Sequence, residues 1–153
     1  MRDKIFLLLL FFSLIIFTGC SIKDTVKSSG EEEILRERVM QYCNYRISEE
    51  FEKSYLYEDS LYRKKTSLGL YLRRMAGSIN EWKAAEIRSL KITDEDADVE
   101  LKVKVKVRLT MAGSRAPMGG LKDLERDTDI TQKWKKIDGV WHHIFGSKDF
   151  LTD

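Results

Sequence analysis

The chain has 153 residues, which suits one domain of ordinary size, and its 27 basic and 25 acidic residues leave a net charge of +2. A balance this close to neutral gives no general attraction to nucleic acid or to anionic lipid, so a nucleic-acid partner is not expected.

The first twenty residues have the pattern of a secretory signal. Arg2 and Lys4 provide a positive start, and residues 5–17 are apolar apart from Ser13. This run is too short to span a bilayer, which requires about 20 residues in a helix. We therefore predict that residues 1–19 are a signal peptide.

The signal ends in Phe17-Thr18-Gly19-Cys20, which resembles the lipobox of bacterial lipoproteins. In that family the cysteine is diacylated, the peptide is cut before it, and the new amino group is usually acylated, with palmitate among the acyl chains. The resemblance implies lipidation at Cys20 and attachment to a membrane of the cell envelope. If the host has two membranes, Ser21 resembles the pattern for the outer membrane, facing the periplasm. An ordinary signal peptide with a chance cysteine is the alternative.

Residues 21–30 lack apolar periodicity, and their Lys, Ser, Asp and Thr content predicts a flexible tether. From Glu31 onward apolar residues recur at steps of three and four, which predicts one amphipathic helix of about six turns. Its apolar stripe contains Leu35, Val39, Tyr42 or Cys43, Ile47, Phe51 and Tyr55. If Cys20 is acylated, Cys43 has no disulfide partner, and we expect it to be a buried structural thiol.

Two shorter helical segments follow the interruption at residues 58–60, Glu-Asp-Ser. Residues 61–65 form one further helical turn, and Thr66 or Ser67 then caps a second helix that ends at Gly77. The predicted buried side of this second helix consists of Leu68, Tyr71, Leu72 and Met75.

The clearest pattern is VELKVKVKVRL at residues 99–109, which is apolar at every odd position and charged at every even one. It predicts a strand inside a sheet, with one buried and one solvated face. Its basic row (Lys102, Lys104, Lys106 and Arg108) either meets an anionic partner or is a solvated face with acidic neighbours. Weaker patterns predict strands at 82–92, 128–137 and 140–145, with turns at 93–98 and Asp138-Gly139.

Residues 110–127 are the one irregular stretch inside the domain and contain the only proline, Pro117. Loops of this length in compact domains are often functional. Their apolar residues make this loop a candidate partner-binding surface: Met111, Met118, Leu121 and Leu124. The alternative is an extended hairpin whose apolar residues cap the core.

A long helix, short helices and a meander of about four strands predict an α+β domain with helices packed on an antiparallel sheet. The helix ending in FEKSYLYEDSLYRKK, the short helix after it and the closing strands WKKIDGVWHHI resemble the NTF2-like (cystatin-like) family, from residue 31 to about 145. In that family a curved sheet forms a cone with a pocket at its open end. Members include small-molecule binders, isomerases, hydrolases and catalytically silent accessory domains.

The resemblance implies a pocket inside the cone, with candidate lining residues Tyr42, Tyr45, Asp59, Tyr62, Trp134, Trp141 and His143. The alternative is that the aromatic residues fill the core and that Asp59 caps the turn at Ser60. No carboxylate occupies a position that matches a catalytic motif of the family, so we assign no catalytic residue.

His142 and His143 are the only histidines, and neighbours on a strand point to opposite faces. We therefore expect one in the core or the pocket and one in solvent, and we predict no metal site and no cofactor. The leading functional hypothesis is a membrane-tethered accessory domain that binds a small apolar ligand or an envelope protein. A small isomerase or hydrolase and a purely structural envelope scaffold are the alternatives.

Overall fold

A computed structural model describes the backbone of residues 22–107 and 124–146, and the side chains from residue 30 onward. The described helices are α1 (Ile22–Ile47), α2 (Phe51–Tyr55), α3 (Ser60–Lys65) and α4 (Leu68–Ala76). The described strands are β1 (Asn80–Thr93), β2 (Asp96–Val107), β3 (Leu124–Ile137) and β4 (Val140–Ile144). The predicted signal peptide with Cys20, and also Arg108, Met111, Met118 and Leu121, lie outside the described residues.

The chain divides into two compact units, Met1–Glu31 and Glu32–Asp153, and the sheet belongs to the second. The prediction of an α+β domain is confirmed, because four helices accompany one antiparallel sheet with the strand order β1-β2-β3-β4. Within the described ranges, no helix is both long enough and apolar enough to cross a membrane.

Strand β2 is the centre of the fold, as its alternating sequence predicts. It pairs with β1 on one side and with β3 on the other. Its inward residues Val99, Leu101, Val103 and Val105 are all 0% exposed and pack in one cluster with apolar residues of α1. At about 25 cal/mol per Å² of buried apolar area, this face is a main source of the stability of the domain.

The outward face of β2 carries charges that are matched by neighbouring strands. Lys102 forms an ion pair with Asp127 at 2.9 Å. In the strand register, Lys104 and Lys106 lie opposite Asp127 and Glu125 of β3. Cross-strand pairs of opposite charge stabilise a sheet by a few tenths of a kcal/mol to about 1 kcal/mol. For its described members, the basic row is therefore a solvated face with acidic neighbours.

The two hairpin turns are both two residues long, although only one was predicted so. Asp138 and Gly139 have φ angles of 51° and 79°, which is the left-handed pair that a type I′ turn requires. The predicted turn at 93–98 is too long, because Thr93 pairs directly with Asp96 across Asp94 and Glu95. Asp94 takes a φ of 56°, a conformation that aspartate tolerates better than most residues.

Strand β3 begins at Leu124. The prediction that the loop at 110–127 continues to residue 127 is therefore wrong for residues 124–127. Leu124 pairs with Val107 in the sheet and is 57% exposed, rather than lying on a loop. This part of β3 (LERD) shows no apolar alternation, and its pairing with β2 places acidic residues opposite lysines instead. Tertiary charge pairing, which a local pattern does not reveal, extends this strand.

The first helix starts and ends earlier than the sequence predicts. Residues 22–30 are helical, so the expected irregular tether and the expected helix start at Glu31 are wrong. The helix ends at Ile47, and Phe51 and Tyr55 belong to the separate helix α2. The break is a Schellman-type cap: Glu49 has a φ of 58°, and the Glu50 amide donates to the Tyr45 carbonyl at 2.9 Å.

Glycine is the residue that this cap favours, because a left-handed backbone costs a residue with a Cβ roughly 1 kcal/mol. Glu49 is exposed, so its replacement removes little packing. We expect Glu49→Gly to raise the free energy of unfolding by about 0.5–1 kcal/mol, measured by urea denaturation. Glu52→Gly, a change at an exposed position inside α2, should destabilise instead. Destabilisation by both variants would contradict the assigned cap.

Helices α3 and α4 begin with side-chain caps. The Asp59 carboxylate accepts from the Leu61 and Tyr62 amides at 2.7 and 3.0 Å, and the Ser67 hydroxyl accepts from the Leu70 amide. The predicted cap at Ser67 is confirmed. Tyr71 and Met75 form the buried side of α4, whereas Leu68 is 39% exposed, contrary to the prediction, because it lies in the first turn of the helix.

Candidate functional site

The candidate site is a buried polar cluster between the helices and the sheet, centred on Glu58. This carboxylate is 0% exposed. One of its oxygens, Oε1, accepts hydrogen bonds from the hydroxyls of Tyr42 and Tyr71, each at 3.2 Å. The other oxygen, Oε2, lies 2.8 Å from Nδ1 of His143. Both oxygens of the carboxylate are thus paired inside the protein, as a buried charged group requires.

Each helix of the domain except α3 contributes a side chain to this cluster. Tyr42 comes from α1, Tyr71 from α4, and Ser54 of α2 forms a hydrogen bond of 2.9 Å with the Tyr71 hydroxyl. Burial, followed by the negative charge of Glu58, raises the pKa of Tyr71, so its hydroxyl stays protonated. The cluster therefore links most of the helical layer through hydrogen bonds.

A buried cation, Arg46, balances the negative charge of the cluster. Its guanidinium donates to the Tyr42 hydroxyl at 3.0 Å and lies over the Trp82 ring at 4.7 Å from the ring centroid. Arg46 is only 6% exposed, so this stacking on an aromatic face takes place largely out of water. The pairing of Arg46 with Glu58 through one tyrosine allows both charges to be buried in the core.

The backbone fixes the position of Glu58 relative to β4. Glu58 and His143 form an isolated parallel bridge. The His143 amide donates to the Tyr57 carbonyl at 2.8 Å, and the Asp59 amide donates to the His143 carbonyl at 3.0 Å. The link between α2 and α3 therefore covers the outer edge of β4, and the side-chain pair lies directly beside this edge.

The structure places the seven predicted pocket residues in three different settings. Tyr42, Trp134, Trp141 and His143 are buried, with at most 1% of each exposed. Tyr42 packs edge-on against Trp134 at 5.8 Å and stacks on His143 at 4.7 Å, both between ring centroids. These four residues are thus packed together between the helices and the sheet.

The other three predicted pocket residues lie apart from this cluster. Tyr45 is half-buried and packs on Tyr57 at 5.8 Å between ring centroids. Tyr62 is half-buried and stacks on Phe145 at 4.6 Å. Asp59 uses its carboxylate to cap α3, which agrees with the alternative weighed for it.

A small cleft opens beside Arg46, between α2, α4 and β1. It is lined by Arg46, Glu49, Phe51, Met75, Ser78, Asn80, Glu81 and Trp82. Its volume of about 10 Å³ has room for roughly one water molecule. In this conformation the cleft is too small for an organic ligand.

Burial changes the pKa of two further side chains, Cys43 and His142, in opposite directions. Burial raises the pKa of the Cys43 thiol to about 12, so its reactive thiolate is not populated at neutral pH. Burial, followed by the positive charge of Arg38, lowers the pKa of His142, which keeps this half-buried imidazole neutral. In the part of the chain that the structure describes, no three His, Cys, Asp or Glu side chains could hold a metal ion.

Sequence reasoning identified Tyr42 and His143 but missed Glu58 and Arg46. Glu58 lies in the Glu-Asp-Ser interruption between helices, where an acidic residue normally indicates an exposed turn. Arg46 lies four residues after Tyr42, a spacing that places both on one side of α1. That spacing on an otherwise apolar stripe was the one available signal for a buried cation.

A comparison of the sequence with protein families and with curated proteins finds no match. Among solved structures, the chain is similar to a SEC-C motif containing protein from Rhodopseudomonas palustris, determined in solution. The two are 13% identical, the match covers 74% of each chain, and the TM-score is 0.45. This likeness is too distant to assign a fold family or a function.

Proposed function

We propose that this chain is a lipid-anchored protein of the bacterial cell envelope, with a non-catalytic accessory domain that acts through its surface. The observation that carries the accessory role is the state of Glu58, the carboxylate at the centre of the cluster. A general acid or base must reach its substrate, but Glu58 is fully buried and accepts hydrogen bonds from residues of its own domain. Its environment favours a structural role.

Support for the anchor comes from the sequence. The apolar run at residues 5–17 closes with Gly19-Cys20, and this run is too short to hold a membrane as a spanning helix. Stable anchoring by acyl groups needs two chains or more, at about 0.8 kcal/mol for each buried CH₂ group. Processing of the lipoprotein type at Cys20 would supply them.

Support for a surface role comes from the packing. Trp134, Trp141, Tyr42 and Tyr71 occupy the layer where a cone-shaped NTF2-like domain would have its cavity. We extend the proposal to this fold type. Binding of an envelope protein fits this layer of buried aromatic residues better than binding of a small apolar ligand.

The anchor predicts a specific mass for the purified protein. We expect mass spectrometry to find an N-terminal peptide that begins at Cys20 and carries added lipid mass. Cys20→Ala should release the protein from the membrane fraction, whereas Cys43→Ala should leave it there, because the buried Cys43 accepts no lipid. An intact Met1, or membrane retention of Cys20→Ala equal to that of the wild type, would exclude the anchor.

A further inference from the structure

Basic residues in this protein occur in two different electrostatic settings. On the sheet, several lysines have acidic partners within 4 Å: Lys102 with Asp127, Lys133 with Asp98 and Lys135 with Asp96. The segment of α3 and α4 contains no acidic residue between Ser60 and Asn80. Its exposed cations form no ion pair with any described residue: Lys64, Lys65, Arg73 and Arg74.

These cations belong to a short repeated motif. Residues 61–65 read LYRKK and residues 70–74 read LYLRR, so each helix carries a leucine, a tyrosine and two consecutive cations in the same order. On a helix, positions i, i+3 and i+4 share one face. Leu61 therefore lies on the same face of α3 as Lys64 and Lys65, and α4 repeats this arrangement.

The tyrosines of the motif determine which face points outward. Tyr71 is fully buried and Tyr62 is half-buried, and their rings pack edge-on at 6.3 Å between centroids. The opposite face of each helix is left towards solvent. Leu61 of α3 is 65% exposed, and Leu68, in the first turn of α4 and on the Tyr71 side of that helix, is 39% exposed.

We propose that the outward faces of α3 and α4 form a docking surface for an anionic lipid membrane, here named the LY-basic surface. Exposed leucines beside several cations that have no acidic partner are the combination by which helices bind at the membrane interface. An acidic protein would complement the charges, but the exposed leucines favour an apolar layer beneath the charged groups. This inference rests on the proposed function, because an anchor at Cys20 would keep the domain close to a membrane.

The test uses the full chain with Cys20→Ser, which has no acceptor thiol, and vesicles of two compositions. One contains equal parts of phosphatidylglycerol and phosphatidylcholine, and the other contains phosphatidylcholine alone. The measured quantity is the partition coefficient on the anionic vesicles divided by that on the phosphatidylcholine vesicles. This ratio cancels any uncharged contribution of the N-terminal apolar run. We expect a ratio well above one, and protection of the amides of α3 and α4 from hydrogen exchange on the anionic vesicles only.

Lys64→Gln together with Lys65→Gln should lower that ratio about 30-fold, since each cation near an anionic surface contributes about 1 kcal/mol. The matched control is Lys133→Gln with Lys135→Gln, which removes the same charge from the sheet, where both lysines are already paired. The control should change the ratio much less. Circular dichroism should show that both variants are folded.

Leu61→Ser separates a lipid surface from an acidic protein partner. It should weaken binding to anionic vesicles, while binding to polyglutamate, as a soluble acidic probe, should be weak for wild type and variant alike. Tight binding to polyglutamate that Leu61→Ser does not alter would overturn the proposal in favour of an acidic protein. An equal loss in the two lysine variants, or a ratio near one for the wild type, would also overturn it. None of these outcomes affects the mass measurement at Cys20. The LY-basic surface can therefore be rejected without rejecting the lipid anchor, and the anchor without rejecting the surface.

Discussion

Replacing Val103 with aspartate is expected to unfold the domain. Val103 is 0% exposed and lies on the inward face of β2, where it pairs with Ala85 of β1 and Thr128 of β3. An unpaired carboxylate there would lose its hydration without gaining a partner, at a cost of about 4 kcal/mol or more. Domains of this size are stable by only about 5–15 kcal/mol, so most of the stability would be lost. Denaturant unfolding followed by tryptophan fluorescence would measure the loss.

Two control variants separate burial of charge from other effects at this strand. Val103→Ala removes volume without adding charge, and it should cost a smaller amount, about 1–3 kcal/mol. Lys104→Ser, on the exposed face of the same strand, should stay within about 0.5 kcal/mol of the wild type. Equal sensitivity of Val103 and Lys104 would mean that the two faces of β2 are assigned wrongly.

The core of the sheet could be predicted because it is encoded locally. The alternation in β2 places Val99 to Val105 on one face whatever the partner strands are, and Asp138-Gly139 specifies a tight turn by backbone preference alone. The ends of the strands could not be predicted from the local pattern in the same way. Leu124 joins β3 because acidic residues beside it find lysines on β2, a gain that arises only once the strands pair.

In the helical layer, the sequence pattern likewise does not predict where a helix ends. The apolar stripe continues from Ile47 to Phe51, so periodicity alone predicts an uninterrupted helix. The break comes from the left-handed Glu49, and no glycine marks this cap in the sequence. Propensity rules do not anticipate a glutamate there. The turn then directs α2 so that Ser54 reaches Tyr71, which is a tertiary requirement.

The candidate site was predicted in its aromatic part but not in its charged part. Tyr42, Trp134 and His143 are large residues on apolar faces, so burial was the natural expectation for them. Glu58 and Arg46 are residue types that are seldom buried, and each is buried here because the other supplies the opposite charge. Neither residue would be placed in the core when considered alone, and a single sequence does not reveal the pair.

Replacement of Glu58 with alanine is the second change from which we expect a large effect. It would remove the acceptor of the Tyr42 and Tyr71 hydroxyls and the partner of His143, and it would take from Arg46 a buried carboxylate that favours its charge. Breaking a buried charged network by removing one member typically costs about 3–5 kcal/mol. We therefore expect the free energy of unfolding to fall by this amount, as measured by urea denaturation.

Glu58→Gln and Glu86→Ala complete this experiment. Glutamine keeps the shape and an acceptor oxygen but not the charge, so its cost should lie between those of the wild type and Glu58→Ala. Glu86→Ala removes an exposed glutamate of β1 that pairs with Arg88, and it should cost less than about 0.5 kcal/mol. If Glu58→Ala were as stable as Glu86→Ala, the cluster would not hold the helices on the sheet. The buried carboxylate would then require a role other than the structural one assigned to it here.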